Sequence, residues 1–233
     1  MFISSLGTSA YRPTRYGALD GEQRIEEQIH FVQQARLAGL KSAGVEMDRV
    51  VTLLTRSSDG KNYNAPPDGN SNAAHNACAA PGYKLYLDVL KELGFSDDQC
   101  VRVDFDDPNA PPALWKLFDA VTQQIERGDM IYVDVTYGFR AIPVLLMVAL
   151  DYVCRVKGAI LAQVTYGAFE VKGGDATPIF DLTPFLRLQR WTDAVVRAEA
   201  DDLRAVAAMT STEMRGLKKE LAEQKRLGEA PAA

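Results

Sequence analysis

Met130-Ile131-Tyr132-Val133-Asp134-Val135-Thr136-Tyr137-Gly138-Phe139-Arg140 is an almost continuous apolar, β-branched run that breaks abruptly into polar, glycine-containing chemistry. Beyond it, Ala141 to Val156 is apolar enough for a largely buried helix, expected over Phe139 to Val156. Strand, short turn and helix in that order place Thr136 to Arg140 at a carboxyl strand end and a helix amino terminus. Unpaired backbone N–H groups and the helix dipole favour an anion there. Gly138 permits close backbone approach, and Arg140 can add a bidentate, charge-assisted contact.

Apolar strand candidates also occur at Phe2 to Leu6, Arg49 to Thr55, Val101 to Phe105 and Ala159 to Tyr166. Helical patterns lie between most of them: Gln23 to Leu40, with Ile25, Ile29, Val32 and Leu37 near a 3.6-residue spacing, then Tyr83 to Leu93 and Pro112 to Glu126. This alternation predicts an α/β fold, a doubly wound, mostly parallel sheet with helices on both faces. Such sheets bind ligands at carboxyl strand ends where strand order reverses. Gly7-Thr8-Ser9-Ala10-Tyr11, after the first strand, offers the same material as the turn after Val135. Asp134, at a strand end, is expected to be held there by hydrogen bonds.

Arg56 to Pro81 is rich in Asn, Asp, Gly, Pro and Ala, without a period, and too long for an ordinary connection. It reads as a functional lid or as a plain loop, and it carries Lys61, Tyr63 and His75. Glu170 to Asp181 reads as a hairpin turning at Lys172-Gly173-Gly174-Asp175. Thr183-Pro184 then reads as a helix start, with Thr183 as N-cap. The expected organisation is a core domain over residues 1–182 and a helical extension over 183–233.

A net charge of −5 argues against a duplex nucleic-acid binder, which needs a basic footprint. The three cysteines, Cys78, Cys100 and Cys154, suggest neither a disulfide framework nor a zinc site. No signal-peptide layout opens the chain, and charges at Asp134, Arg140, Asp151 and Arg155 punctuate its most apolar region. The expectation is a cytoplasmic protein without a membrane span. Neither a Gly-x-Gly-x-x-Gly fingerprint nor a Gly-Lys-Ser/Thr phosphate loop is present, so no nucleotide cofactor of those kinds is implied. His30 is expected on the first helix and His75 in the long loop, with nothing to pair them into a metal site, so no metal is expected. Asp104, Asp106 and Asp107 read as a solvated strand-end cluster.

Several segments together resemble one family. They are Phe2-Ile3-Ser4-Ser5-Leu6-Gly7-Thr8, then Tyr11 and Tyr16, Asp134 to Pro143, Tyr166-Gly167-Ala168-Phe169-Glu170 and Asp181-Leu182-Thr183-Pro184-Phe185. Their order and spacing resemble the CRISPR-associated Rossmann-fold (CARF) sensor domain of type III CRISPR ancillary proteins, over about residues 1–195. Tyr137 stands where the family commonly has histidine, which alters hydrogen bonding at the helix start. The resemblance implies a Rossmann-like fold and a homodimer whose paired pockets hold a cyclic oligoadenylate, most often the four-adenylate ring. A ring with two-fold symmetry suits a site built by two identical copies. By position, Gly7, Thr8, Ser9 and Tyr11 would line one side, and Thr136, Tyr137, Gly138, Phe139 and Arg140 the other.

Many relatives continue into a HEPN ribonuclease, which needs Arg-x-x-x-x-His, and no histidine follows His75 here. The first functional reading is therefore a metal-independent ring nuclease that switches the signal off. In it the ring's own 2′-hydroxyl attacks the adjacent phosphorus, with Ser9, Thr136, Arg140 and Lys61 as candidate catalytic residues. The second is a non-catalytic sensor that controls a partner or effector, and the third a nucleotide-binding α/β domain of unrelated purpose.

Overall fold

Strands β1 (Phe2–Ser5) and β2 (Val50–Thr55) are buried along their whole length, as central strands of a sheet covered on both faces must be. The computed structural model describes residues 1–9, 11–55, 58–64, 83–105, 111–138, 141–171 and 175–201. Around these two strands lie β3 (Cys100–Phe105), β4 (Met130–Asp134), β5 (Ile160–Gly167) and β6 (Ile179–Asp181), in the sheet order β3-β2-β1-β4-β5-β6. The β1–β2, β1–β4, β2–β3 and β4–β5 pairs are all parallel. The half-exposed edge strand β3 points the charged Arg102 and Asp104 outward, which discourages pairing with another chain.

Alternation along β2 assigns the two faces. Val50 and Leu54 pack with α1 (Val32–Ser42) and α2 (Tyr86–Glu92) through Leu37, Leu40, Tyr86 and Leu90. Leu53 packs on the opposite face against α3 (Pro111–Gln123) and α4 (Ala141–Tyr152) through Leu117, Val121, Ile142 and Leu146. A mostly parallel sheet with helices on both faces is the Rossmann-like arrangement the alternation predicted. Among the described residues no helix is long and apolar enough to cross a membrane. The chain divides into two units, Met1–Phe180 and Asp181–Ala233. In the second, α5 (Thr183–Asp201) begins where the Asp181 carboxylate accepts the Thr183 amide at 2.8 Å and also its hydroxyl. Asp181 thus accepts the first amide of the helix, two residues before Thr183, the expected cap.

The first helix starts later than its periodicity predicts. Residues 23–31 are not helical: Ile29 exchanges two backbone hydrogen bonds with Thr14, each 2.9 Å, in an isolated antiparallel bridge. Ile25 and Ile29 still point inward, against Tyr16, so their apolar spacing serves an extended segment. His30, expected on that helix, precedes it and lies 4.7 Å, ring to ring, from Tyr83. Of the long segment after β2, Asp59–Tyr63 forms a single π-helical turn, while 56–57 and 65–82, with His75 and Cys78, lie outside the described residues. The proposed hairpin turn at 172–174, and Asp106 and Asp107, lie outside them as well.

A buried ion pair braces the middle of α1. Arg36, 1% exposed, holds Glu22 at 2.5 and 2.9 Å and donates to the Gln163 amide oxygen at 2.7 Å. Gly39 makes room for this: a Cβ there would sit 2.5 Å from the Glu22 carboxylate. Gly→Ala in an open helix interior stabilises by ~1 kcal/mol. Gly39→Ala should instead destabilise by about 2–3 kcal/mol, because Glu22 must leave a buried guanidinium. Urea unfolding of the two proteins reads the sign, and a stabilised variant would refute the account.

Candidate functional site

The carboxyl ends of β1 and β4 open into a cleft of about 470 Å³. Topology puts it there. From β1 the chain moves outward to β2 and β3, then returns to β4 on the other side of β1, so the β1/β4 boundary is the switch point. Leu6 to Ser9 forms one wall, Thr136 to Gly138 the other, and Tyr11, Arg12, Thr14 and Phe169 complete the lining.

The β4 wall rests on a buried carboxylate. Asp134, 1% exposed, accepts the Thr136 amide at 3.2 Å and the Thr136 hydroxyl at 2.8 Å, with the Thr165 hydroxyl at 3.4 Å. Burial pushes its pKa up to about 6 despite the opposing hydrogen bonds of Thr136 and the charge of Arg36. Thr136 Oγ1 also accepts the Gly167 N–H at 2.7 Å, which ties the end of β4 to that of β5. The Ser5 hydroxyl donates to the Tyr137 carbonyl and ties the same turn to β1. Gly138 follows at φ +129°, and a Cβ there would lie 2.7 Å from Ser5 Oγ. Both the left-handed backbone and the close approach call for glycine.

The β1 wall is held by side chains from later in the chain. The Gly7 N–H donates to the Tyr11 hydroxyl at 2.7 Å. Asn62 Nδ2, from the π-helical turn, donates to the carbonyls of Gly7 at 2.7 Å and Ser9 at 3.0 Å. Aromatic rings join the two walls: Tyr11 meets Tyr137 edge-on at 4.4 Å, and Tyr137 lies 5.5 Å from Phe169. Burial raises the pKa of both tyrosines, so they act as neutral hydrogen-bonding groups. Among the described residues Arg12 is the one charged side chain in the lining, exposed and without an ion pair to any of them.

Of the residues singled out from sequence, Gly7, Thr8, Ser9, Tyr11, Thr136, Tyr137 and Gly138 line this single cleft. Lys61 does not line it, although its neighbour Asn62 holds the β1 wall from below. Phe139 and Arg140 lie outside the described residues. Sequence reasoning missed Arg12, Thr14, Phe169 and Asn62. Phe169 had a usable signal, because it follows the carboxyl end of the next strand, β5. Among the described residues no group of three or more His, Cys, Asp or Glu side chains is placed to hold a metal. Among the described residues the lining carries neither carboxylate nor imidazole; what it offers a ligand is hydroxyls, backbone groups, aromatic rings and a guanidinium.

No family model matches the chain. Part of it is similar to a CRISPR-associated protein of Methanocaldococcus jannaschii. Identity is 32% over 83 residues, which is 34% of this chain and 13% of that protein. The matched stretch thus spans a small part of the relative's own length.

Asp134 makes a pH prediction with a definite sign. Its folded pKa, about 6, lies above the ordinary carboxylate value of 3.8, so the folded state holds the proton more tightly. The stability that Asp134 contributes should be fully present near and below pH 4, fall as pH rises through about 6 and then level off. Asp134→Asn should flatten that part of the profile. Urea midpoints for both proteins between pH 4 and 7 measure it, and parallel profiles would remove Asp134 as the cause.

Proposed function

We propose that the protein binds a cyclic oligoadenylate, such as the four-adenylate ring, between two copies of itself, as a component of CRISPR defence. The observation that carries this reading is the cleft at the β1/β4 switch point, walled by glycine and hydroxyl turns, lined with aromatic rings and edged by Arg12. The partial similarity to a CRISPR-associated protein supports the same reading. A ring of four nucleotides exceeds one cleft of this size, whereas two clefts about a two-fold axis would share it. The acidic balance of the chain is no obstacle, since a nucleotide ring needs a few fixed donors rather than a basic surface.

A surface suited to the second copy begins beside the cleft. Val144, Val148 and Tyr152 form one stripe on α4, exposed by 66%, 57% and 41%. Tyr152 continues through Phe118, at 5.4 Å, to Trp115 on α3, 5.8 Å further, making an apolar patch. Because α4 starts just after the β4 turn, a symmetric contact through this stripe would bring two pocket turns together. Val144→Lys with Val148→Lys should convert a dimer to a monomer in sedimentation and weaken ring binding with it. A monomeric parent protein would refute this interface.

In the proposed reaction the ring is cleaved without metal. A ribose 2′-oxygen, losing its proton, attacks the adjacent phosphorus, and the 5′-oxygen leaves and takes up a proton, giving a 2′,3′-cyclic phosphate. The protein's part is to hold that oxygen in line and to stabilise charge on the phosphoryl oxygens, through Ser9, the Thr136 turn and Arg12. A second reading, a sensor that holds the ring intact, is favoured by one observation: the Thr136 hydroxyl is already engaged by Asp134 and Gly167. Incubation with cyclic tetra-adenylate in EDTA separates the two. Linear products with cyclic phosphate ends support cleavage, intact bound ring supports sensing, and no binding refutes both. Arg12→Ala should weaken binding by roughly 10- to 100-fold, the loss of one charge-assisted contact of about 1.5–3 kcal/mol.

A further inference from the structure

Asn62 is fully buried and reaches the cleft wall from beneath without lining the cleft. Its Nδ2 faces two carbonyl oxygens, those of Gly7 and Ser9, which fixes the orientation of the amide. Its Oδ1 accepts the Tyr83 hydroxyl at 2.7 Å. The π-helical turn that carries Asn62 is anchored on its other side, where Asp59 pairs with Arg102 of β3 at 2.8 Å. The Arg102 guanidinium also lies 5.5 Å from the centre of the Tyr63 ring. Tyr83 is itself packed, 4.7 Å from the His30 ring and 6.1 Å from that of Phe31.

We infer that Asn62 is a positioning residue that makes the β1 wall accept an anion. Carbonyl oxygens repel a phosphate, and a turn leaving a strand end has no helix to orient them. By drawing the Gly7 and Ser9 carbonyls toward the interior, Asn62 removes two negative dipole ends from the wall the ligand meets. Tyr83 acts through Asn62, holding the amide in the one orientation that offers its N–H groups. Aspartate has nearly the same shape yet cannot do this when ionised, because its oxygens would face two carbonyls. The ligand arm of this inference rests on the reading proposed above, whereas the geometric arm does not.

The test uses Asn62→Ala, Asn62→Asp and Tyr83→Phe in the full chain. The Gly7 amide is bonded to Tyr11, so its exchange, followed by NMR without ligand, reads the opening of the turn; it should quicken by about 10-fold in Asn62→Ala, where the turn loses both of its bonds to Asn62, and less in Tyr83→Phe. The amides of Ile3 and Val51, in the sheet below, should keep their parent rates. With cyclic tetra-adenylate as probe, dissociation should quicken in the same order. Asn62→Asp should recover affinity relative to the parent as pH falls and its new carboxyl regains a proton to donate. Unchanged Gly7 exchange in both Asn62→Ala and Tyr83→Phe would overturn the inference. So would equal acceleration at Ile3 and Val51, the mark of a plain loss of stability. Should Asn62→Ala fail to fold, Tyr83→Phe decides alone, since it deletes only a hydroxyl. If the probe binds no protein, the parent included, the ligand reading falls while the exchange rates still decide the role of Asn62.

Discussion

A carboxylate with almost no exposure holds the carboxyl edge of this sheet together. Burying Asp134 is costly, and the cost is offset by the amide and hydroxyl of Thr136, by the charge of Arg36 and, to a smaller degree, by the Thr165 hydroxyl, which Val133 shares. Everything at the cleft's β4 wall depends on that arrangement. With its proton directed to Asp134, Thr136 Oγ1 presents a lone pair to the Gly167 amide, and the end of β4 is joined to that of β5. The chain can then turn tightly enough for the Tyr137 carbonyl to meet Ser5, which brings Gly138 against β1. An apolar residue at position 134 would remove the desolvation cost and also leave the Thr136 amide without its acceptor. The raised pKa of Asp134 is the signature of this compromise.

The central strands were legible because their burial demands β-branched, unbroken apolar runs, and Val50 to Thr55 and Met130 to Val135 have little other reading. The start of α1 was not. Residues 22–31 contain neither proline nor glycine to interrupt a helical period, and Ile25, Ile29 and Val32 fall on one helical face. The competing interaction is non-local: Thr14 takes the backbone of Ile29 into a bridge, and Tyr16 gives the isoleucines a surface to cover. At the start of α5 the Asp181 carboxylate, two residues before Thr183, adds the charge that a helix amino terminus favours.

The site divides along the same line. Its walls are strand-end turns, and glycine with hydroxyls at the carboxyl ends of two apolar runs is a local pattern that one sequence displays. Arg12 and Phe169 belong to the cleft only because β1, β4 and β5 lie side by side, an order visible once the sheet is assembled. Asn62 was harder still. It stands in a segment full of asparagine, and what distinguishes it is burial beneath a turn more than fifty residues earlier in the chain.

Whether the cleft would hold the proposed ring or cut it turns on where its protons are. A hydroxyl has one proton to donate, and that of Thr136 is directed to Asp134, so its side chain has no donor left for a phosphoryl oxygen. Tyr11 accepts the Gly7 amide, and burial keeps its phenol neutral. Among the described residues, the groups left to answer charge developing on a phosphate are the Thr8 and Ser9 hydroxyls, the Tyr11 phenol proton, the backbone of the two turns and Arg12. None of these is a base near neutrality. In the proposed cleavage the nucleophile comes from the ring itself, and the rate would come from the geometry the walls impose. For that proposed reaction rigidity would be the catalytic resource, and the buried ties of Asp134 and Asn62 are what would provide it.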